Sequence, residues 1–307
     1  MLTANALPQA LHHLLTHLEA DDYSFVTPTT STHGRRLTDH VSARPYNLRD
    51  VFGWTLPFAS GDLPDPLFAG LLAAGALMAV PGGWRSRFRV ATMRSRLIVH
   101  STPSSDPDAV FLGPDSYRFV RFLETALASG SEPVRIVDVG AGAGALAVAA
   151  IFPAADVVAT DINSLALSLT EINARHTGAK IQTLVGPGLD PVAGPLDLVI
   201  ANPPFIAGDM RRAYRDGGGH LGTGLALDWA RQALGRLDPG GRMLLYTGSP
   251  VVEGEDMVLT ALSELAAERG ACLEYAELDP DILGGTLRQA AYASVERIAA
   301  VDAVITV

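Results

Sequence analysis

Val137-Asp138-Val139-Gly140-Ala141-Gly142-Ala143-Gly144-Ala145 is the stretch that decides the fold. A short run of β-branched residues around one acid leads into alternating glycine and alanine, as when a buried strand turns tightly into a helix. Glycine there lets a ligand approach the backbone without a Cβ in the way, and the following helix offers free N–H groups. Taken alone, the pattern fits more than one ligand. Gly140, Gly142 and Ala145 match the dinucleotide fingerprint, and Asp161, 21 residues beyond Gly140, stands where a ribose-binding acid belongs. Asp138 argues the other way. At the tip of a strand its carboxylate crowds a pyrophosphate but pairs well with an amino-acid ammonium group.

Outward from this turn, the chain alternates. Helices are expected over 115–128, 143–152, 164–175, 221–237 and 255–269, and strands over 134–139, 157–160, 181–185, 196–201 and 241–246. Two more strands are expected within 271–307. Strands of four to eight residues alternating with longer helices make a doubly wound α/β domain: a mostly parallel sheet, covered on both faces, with an antiparallel C-terminal strand. Such sheets bind ligands beyond the C-terminal strand ends, where strand order reverses.

The end of the strand at 196–201 runs into Asn202-Pro203-Pro204-Phe205. Together with the segment from Asp138 to Gly144, about 60 residues upstream, this motif resembles the class I S-adenosylmethionine-dependent methyltransferases. More narrowly, it is similar to their amino-group-methylating branch, which includes release-factor glutamine, ribosomal RNA guanine and DNA adenine methyltransferases. The resemblance covers about two thirds of the chain, roughly 111–307. It implies S-adenosyl-L-methionine as cofactor and no metal. It also implies that Asp138, Gly140, Gly142 and Gly144 surround the methionine end, that Asp161 accepts from the ribose hydroxyls, and that Gly186, with Leu184, lies beside the adenine. Asn202 and the Pro203 carbonyl would hold the acceptor nitrogen, with Pro204 and Phe205 completing the catalytic motif and Phe205 stacking on a planar acceptor.

The chemistry suits such a site. An amide or aromatic amine is a poor nucleophile because its lone pair is delocalised, and two acceptors aimed at its N–H bonds turn that lone pair towards the methyl carbon. Further substrate candidates are Tyr117, placed like a proline-containing stretch of the release-factor enzymes, and Arg211, Tyr214 and His220 in a glycine-rich insertion over 206–224. That insertion reads equally as a closing lid or as a flexible surface loop. A protein side chain or a small amino compound is the leading acceptor class. An RNA or DNA base is the alternative, and a nucleotide-binding oxidoreductase or a catalytically silent fold is more distant.

The first hundred residues read differently. Helices are expected over 6–20 and 66–80, an irregular stretch over 22–63, and a hairpin from 84–90 and 96–100, giving a small α+β module, winged-helix-like, for substrate recognition. Turn formers over 101–108 mark the boundary between domains at 1–105 and 106–307. Arg85, Arg87 and Arg89, spaced by two, would share one strand face, either solvated or a docking surface for an acidic partner. His13 and His17 lie one helical turn apart without the glutamate of a zinc motif, and they read as exposed.

Composition limits the rest. Hydrophobic residues make up 48% of the 307 and charged ones 18%, which excludes a disordered chain. The lone cysteine excludes a disulfide framework, and the longest apolar run, 14 residues, is too short to span a membrane. A cytoplasmic location is expected. Of the formal charge of −10, all ten units fall after residue 130, where 12 basic residues face 22 acidic ones; the first 130 hold 11 of each. A field of that sign disfavours a nucleic-acid substrate.

Overall fold

Helix α1 (Ala6–Ala20) forms because Leu11, Leu14, Leu15 and Leu18 recur on one face, and all four are fully buried. The computed structural model of the chain describes residues 6–39, 47–104, 106–128, 133–144, 155–207 and 217–307. The stretch expected to be irregular contains two helices, α2 (Thr30–Asp39) and α3 (Leu48–Phe52). Local caps replace the missing apolar periodicity: Thr32 N–H donates to Thr29 Oγ1, and Asp50 N–H to Asn47 Oδ1.

The apolar run expected as one helix over 66–80 divides. Helix α4 (Asp65–Ala73) stops before Gly75, which takes φ +71°, and the chain leaves as strand β1 (Leu77–Val80), paired with β2 (Gly83–Ser86). A second hairpin follows, β3 (Phe88–Met93) with β4 (Arg96–Ser101). The single hairpin expected from the sequence is therefore two. The cause is local: Ser86 Oγ donates to the Phe88 carbonyl at 2.6 Å and accepts from Phe88 N–H at 3.1 Å, bridging Arg87 and ending the strand there. The shared arginine face does not form, because Arg85 is half-buried, Arg87 exposed and Arg89 buried.

Helix α5 (Pro114–Leu127) leads into β5 (Arg135–Val139), and β6 (Asp156–Asp161), α6 (Ser164–Thr177), β7 (Ile181–Val185) and β8 (Leu196–Ala201) follow. The helix expected over 143–152 lies outside the described residues from 145 onward. Helix α7 (Gly224–Leu234), the long strand β9 (Leu237–Val252), the short β10 (Glu255–Asp256), α8 (Met257–Arg269), β11 (Cys272–Asp279) and β12 (Arg297–Thr306) complete the chain. The sheet runs β7-β6-β5-β8-β9-β12-β11, parallel from β7 to β9 and antiparallel beyond. Val137, Val139, Val199 and Ala201 are fully buried, as strands covered on both faces require.

One apolar core joins the two halves. Leu11 and Leu15 of α1 and Val90 and Val99 of the second hairpin belong to the same cluster as Leu169 and Ile172 of α6. Asn173 reinforces the join: its amide accepts from Val99 N–H at 2.8 Å and donates to Val99 O at 3.0 Å.

Candidate active site

Strand order reverses between β5 and β8, which lie side by side in parallel with Val139 opposite Ala201. The glycine turn and Asn202 therefore leave the sheet at the same level, at the crevice where such folds bind ligands. Gly140 turns the chain with φ +67°, and a Cβ there would stand 2.5 Å from the Trp229 ring of α7. Glycine is needed here for both conformation and room. Gly142 N–H donates to Asp161 Oδ2 at 3.0 Å, while Asp161 Oδ1 accepts from Asn163 N–H at 2.8 Å. Asn163, not Asp161, caps α6 by accepting from Leu165 N–H. Asp161 is thus placed at the end of β6 by the loop itself, with lone pairs to spare for further donors. Burial raises its carboxyl above the ordinary range, opposed by these backbone N–H groups.

Asp138 is the unusual member. It is 3% exposed and makes no hydrogen bond among the described residues, and burial, seconded by the neighbouring Asp161 charge, pushes its carboxyl up to about 8. Two carboxyls on adjacent strands thus neighbour each other at the turn, and no cationic side chain among the described residues is bonded to either. Gly144 donates to Ala141 O at 2.8 Å and closes the turn. Gly186, at the end of β7, donates to the Asp161 carbonyl at 3.1 Å, which brings the third strand end to the same crevice; Leu184 is half-buried beside it.

Across the crevice, the half-buried Asn202 side chain makes no hydrogen bond among the described residues, and none is made to the carbonyl of Pro203. Phe205 is 9% exposed, and its ring covers Gly248 of β9, where a Cβ would overlap it. Ala207 N–H donates to the buried Tyr292 hydroxyl. The described part of the glycine-rich insertion packs on the motif: Gly217 donates to Ile206 O at 2.9 Å, and a Cβ on Gly222 would stand 2.7 Å from the Phe205 carbonyl.

Arg211 and Tyr214 lie outside the described residues, as does the side chain of His220. Tyr117 points to the N-terminal half, where its hydroxyl accepts from Thr27 N–H at 3.1 Å. Three contributors were not foreseen: Trp229, Gly248 and Tyr292. Only Gly248 left a trace in the sequence, as a glycine inside a long apolar strand. Among the described residues, no group of three His, Cys, Asp or Glu is placed to hold a metal ion.

Residues 119–251 match the family described as Methyltransferase small domain. A release factor glutamine methyltransferase of Cereibacter sphaeroides is 31% identical over 219 residues, 61% of this chain and 70% of that protein. The chain belongs to the class I S-adenosylmethionine-dependent methyltransferases. The release factor glutamine methyltransferase of Bordetella pertussis is 36% identical over 158 residues, covering 46% of this chain and 57% of its own length. The chain spans little more than half the length of the first curated relatives it matches. The fold of the crystal structure of Trm5b from Pyrococcus abyssi is shared at a TM-score of 0.50 and 15% identity, over 75% of this chain and 62% of that one.

Proposed function

We propose that this methyltransferase transfers a methyl group from S-adenosylmethionine to an amide or amino nitrogen of a protein side chain or small molecule. The observation that carries this is that Asn202, just beyond β8, and the buried Asp138, near the end of β5, stand on adjacent parallel strands, and neither side chain makes a hydrogen bond among the described residues. A cofactor with an ammonium group and a ribose diol fits the donor set: Asp138 takes the ammonium group, Asp161 the ribose hydroxyls, and Gly140, Gly142 and Gly144 leave room along the turn. Gly186 borders the adenine.

When bound, the cofactor supplies an electrophilic methyl group and leaves as a neutral thioether. The chain's own residues do the orienting. Asn202 Oδ1 and the Pro203 carbonyl accept the two N–H bonds of the acceptor, turn its lone pair towards the methyl carbon, and stabilise the positive charge that grows on nitrogen. Pro204 and Phe205 form the apolar wall beside the planar acceptor. The methylated nitrogen then loses a proton to water.

The names of the relatives support a glutamine-bearing protein as first choice of acceptor. The acidic surplus beyond residue 130 supports a protein or a small amino compound over a phosphate backbone, and residues 1–105 serve as the recognition module. No helix among the described residues is long and apolar enough to cross a membrane. The test uses labelled methyl transfer to release factors, small aromatic amines, transfer RNA and duplex DNA. Asn202→Ala should lower turnover by a factor on the order of a hundred or more, with cofactor affinity within about threefold. Equal losses in both would make Asn202 a cofactor or structural residue. Methyl transfer to an exocyclic base amine, with binding that persists at physiological salt, would overturn the choice of acceptor.

A further inference from the structure

Arg89 of β3 is 2% exposed, and its Nε and Nη2 atoms have no hydrogen-bond partner. Among the described residues no carboxylate stands beside it; the ionisable groups that favour its charged form are two phenols, Tyr23 and Tyr117. Tyr23 donates its hydroxyl hydrogen to Val90 O at 2.8 Å, and the nearest aromatic face, Phe25, lies 5.9 Å away. A buried guanidinium without a counter-ion is strongly unfavourable, and natural cores rarely keep one without a use for it.

The guanidinium lines a small, partly open cleft with Thr27, Thr30, His100, Ser104 and Phe111, and none of the described lining residues is acidic. His100 neither adds to nor cancels the charge. Its Nδ1 lies 3.0 Å from the Ser101 carbonyl, which can only accept, so Nδ1 carries the hydrogen and Nε2 accepts from the Thr27 hydroxyl at 3.3 Å. Burial lowers its pKa to about 3 and keeps the ring neutral. The cleft therefore offers one fixed positive charge, with Thr30 and Ser104 also on its wall.

We propose that this cleft binds the carboxylate of a ligand, paired with the Arg89 guanidinium. One fork-shaped cation matches one planar monoanion; a phosphate dianion would remain half-neutralised. The location gives the site a bearing on catalysis. The segment lining it carries Val110, whose Cγ1 would lie 3.8 Å from a Cβ on Gly142, and Asp108, whose carbonyl accepts from Asn163 Nδ2 at 2.8 Å. Val110 thus borders both the cleft and the glycine turn. The carboxylate belongs either to the methyl acceptor, which rests on the methyltransferase reading, or to a separate organic acid, which does not.

The experiment titrates the intact protein with acetate, succinate and benzoate, following heat of binding and thermal midpoint, with acetamide and inorganic phosphate as controls. At least one carboxylate should bind the wild type and raise its midpoint, and the controls should not. Arg89→Met should bind that carboxylate at least tenfold more weakly, and Arg89→Lys, which keeps the charge but loses the fork, at least threefold more weakly. Absence of carboxylate binding, equal affinity in all three proteins, or tighter binding of phosphate overturns the proposal. Should Arg89→Met fail to fold, the wild-type and Arg89→Lys titrations still decide.

Matched acceptors with a free or an amidated carboxylate then separate the two sources. A KM raised at least tenfold by amidation in the wild type, and unchanged in Arg89→Met, assigns the carboxylate to the acceptor. Binding without that effect assigns it to a separate acid. Failure to bind S-adenosylmethionine would sink the methyltransferase reading and leave the carboxylate titration standing.

Discussion

The sheet and the N-terminal hairpin each bury one ionisable group that has no hydrogen-bond partner among the described residues, Asp138 in the first and Arg89 in the second, and the two differ in how they bear it. A carboxyl in a dry site can take up a proton. Asp138, raised to about 8 by burial and by Asp161, is mostly neutral in the free protein at pH 7. A guanidinium has no such outlet: Arg89, lowered by burial to about 10, is still charged at that pH. Asp138 thus acquires its charge when a cation arrives, whereas Arg89 holds a standing charge that calls for an anion even when nothing occupies the crevice.

The sharpest way to break this contrast is cofactor binding. Asp138→Asn should weaken S-adenosylmethionine binding by about a hundredfold or more, as loss of a buried ion-pair partner does, while Arg89→Met stays within about threefold. Calorimetry on both variants decides, and comparable losses would collapse the distinction. Next in size is Asp161→Ala, which removes the acceptor for Gly142 and Asn163 N–H as well as a ribose partner; a loss above about 1.5 kcal/mol in cofactor affinity is expected in the same titrations.

The most telling contrast is the pH dependence of stability without cofactor. Between about pH 4, the ordinary carboxyl range, and about pH 8, folded Asp138 holds a proton that the unfolded chain has lost, so stability falls as pH rises through that window. Asp138→Asn should therefore gain thermal stability progressively from pH 4 to 8 and level off above. Arg89 is charged in folded and unfolded chain alike below about pH 10, so its burial cost is fully present there and shrinks only above it. Any gain from Arg89→Met should accordingly be flat over pH 5 to 9. Melting curves at four or five pH values read both slopes; a flat gain for Asp138→Asn would mean that its carboxyl is not raised.

What the sequence made legible follows from where its signals are local. The alternation from 134 onward and the two strand-end motifs report backbone geometry within a few residues, and the topology that brings Val139 beside Ala201 follows from them. Arg89 was visible but read as surface, because spacing by two assumes an unbroken strand; the Ser86 hydroxyl bridge at Arg87 resets the alternation. The run at 67–80 failed for the opposite reason: its apolarity carries no period strong enough to tell a helix from a helix, turn and strand. Trp229 under Gly140 and Tyr292 behind Ala207 could not be read at all, since each meets the site from a sequence separation of 85 or more.

The double hydrogen bond from Asn173 to Val99 has a consequence for how the chain behaves in a crowded solution. Its amide matches the donor and acceptor of a neighbouring strand, and so blunts the outer edge of β4, which Val110 O also covers by accepting from Ser101 N–H. The other edge of the ribbon is occupied as well: Phe25 O accepts from Thr92 N–H, and the Tyr23 hydroxyl donates to Val90 O. A two-stranded ribbon this short would otherwise present two open templates for strand addition by another molecule. Sealed on both sides by a helix, a loop and the segment after α1, it can neither extend its ladder nor recruit a foreign strand, and this protection is lost if Asn173 is replaced by a residue that cannot both give and take.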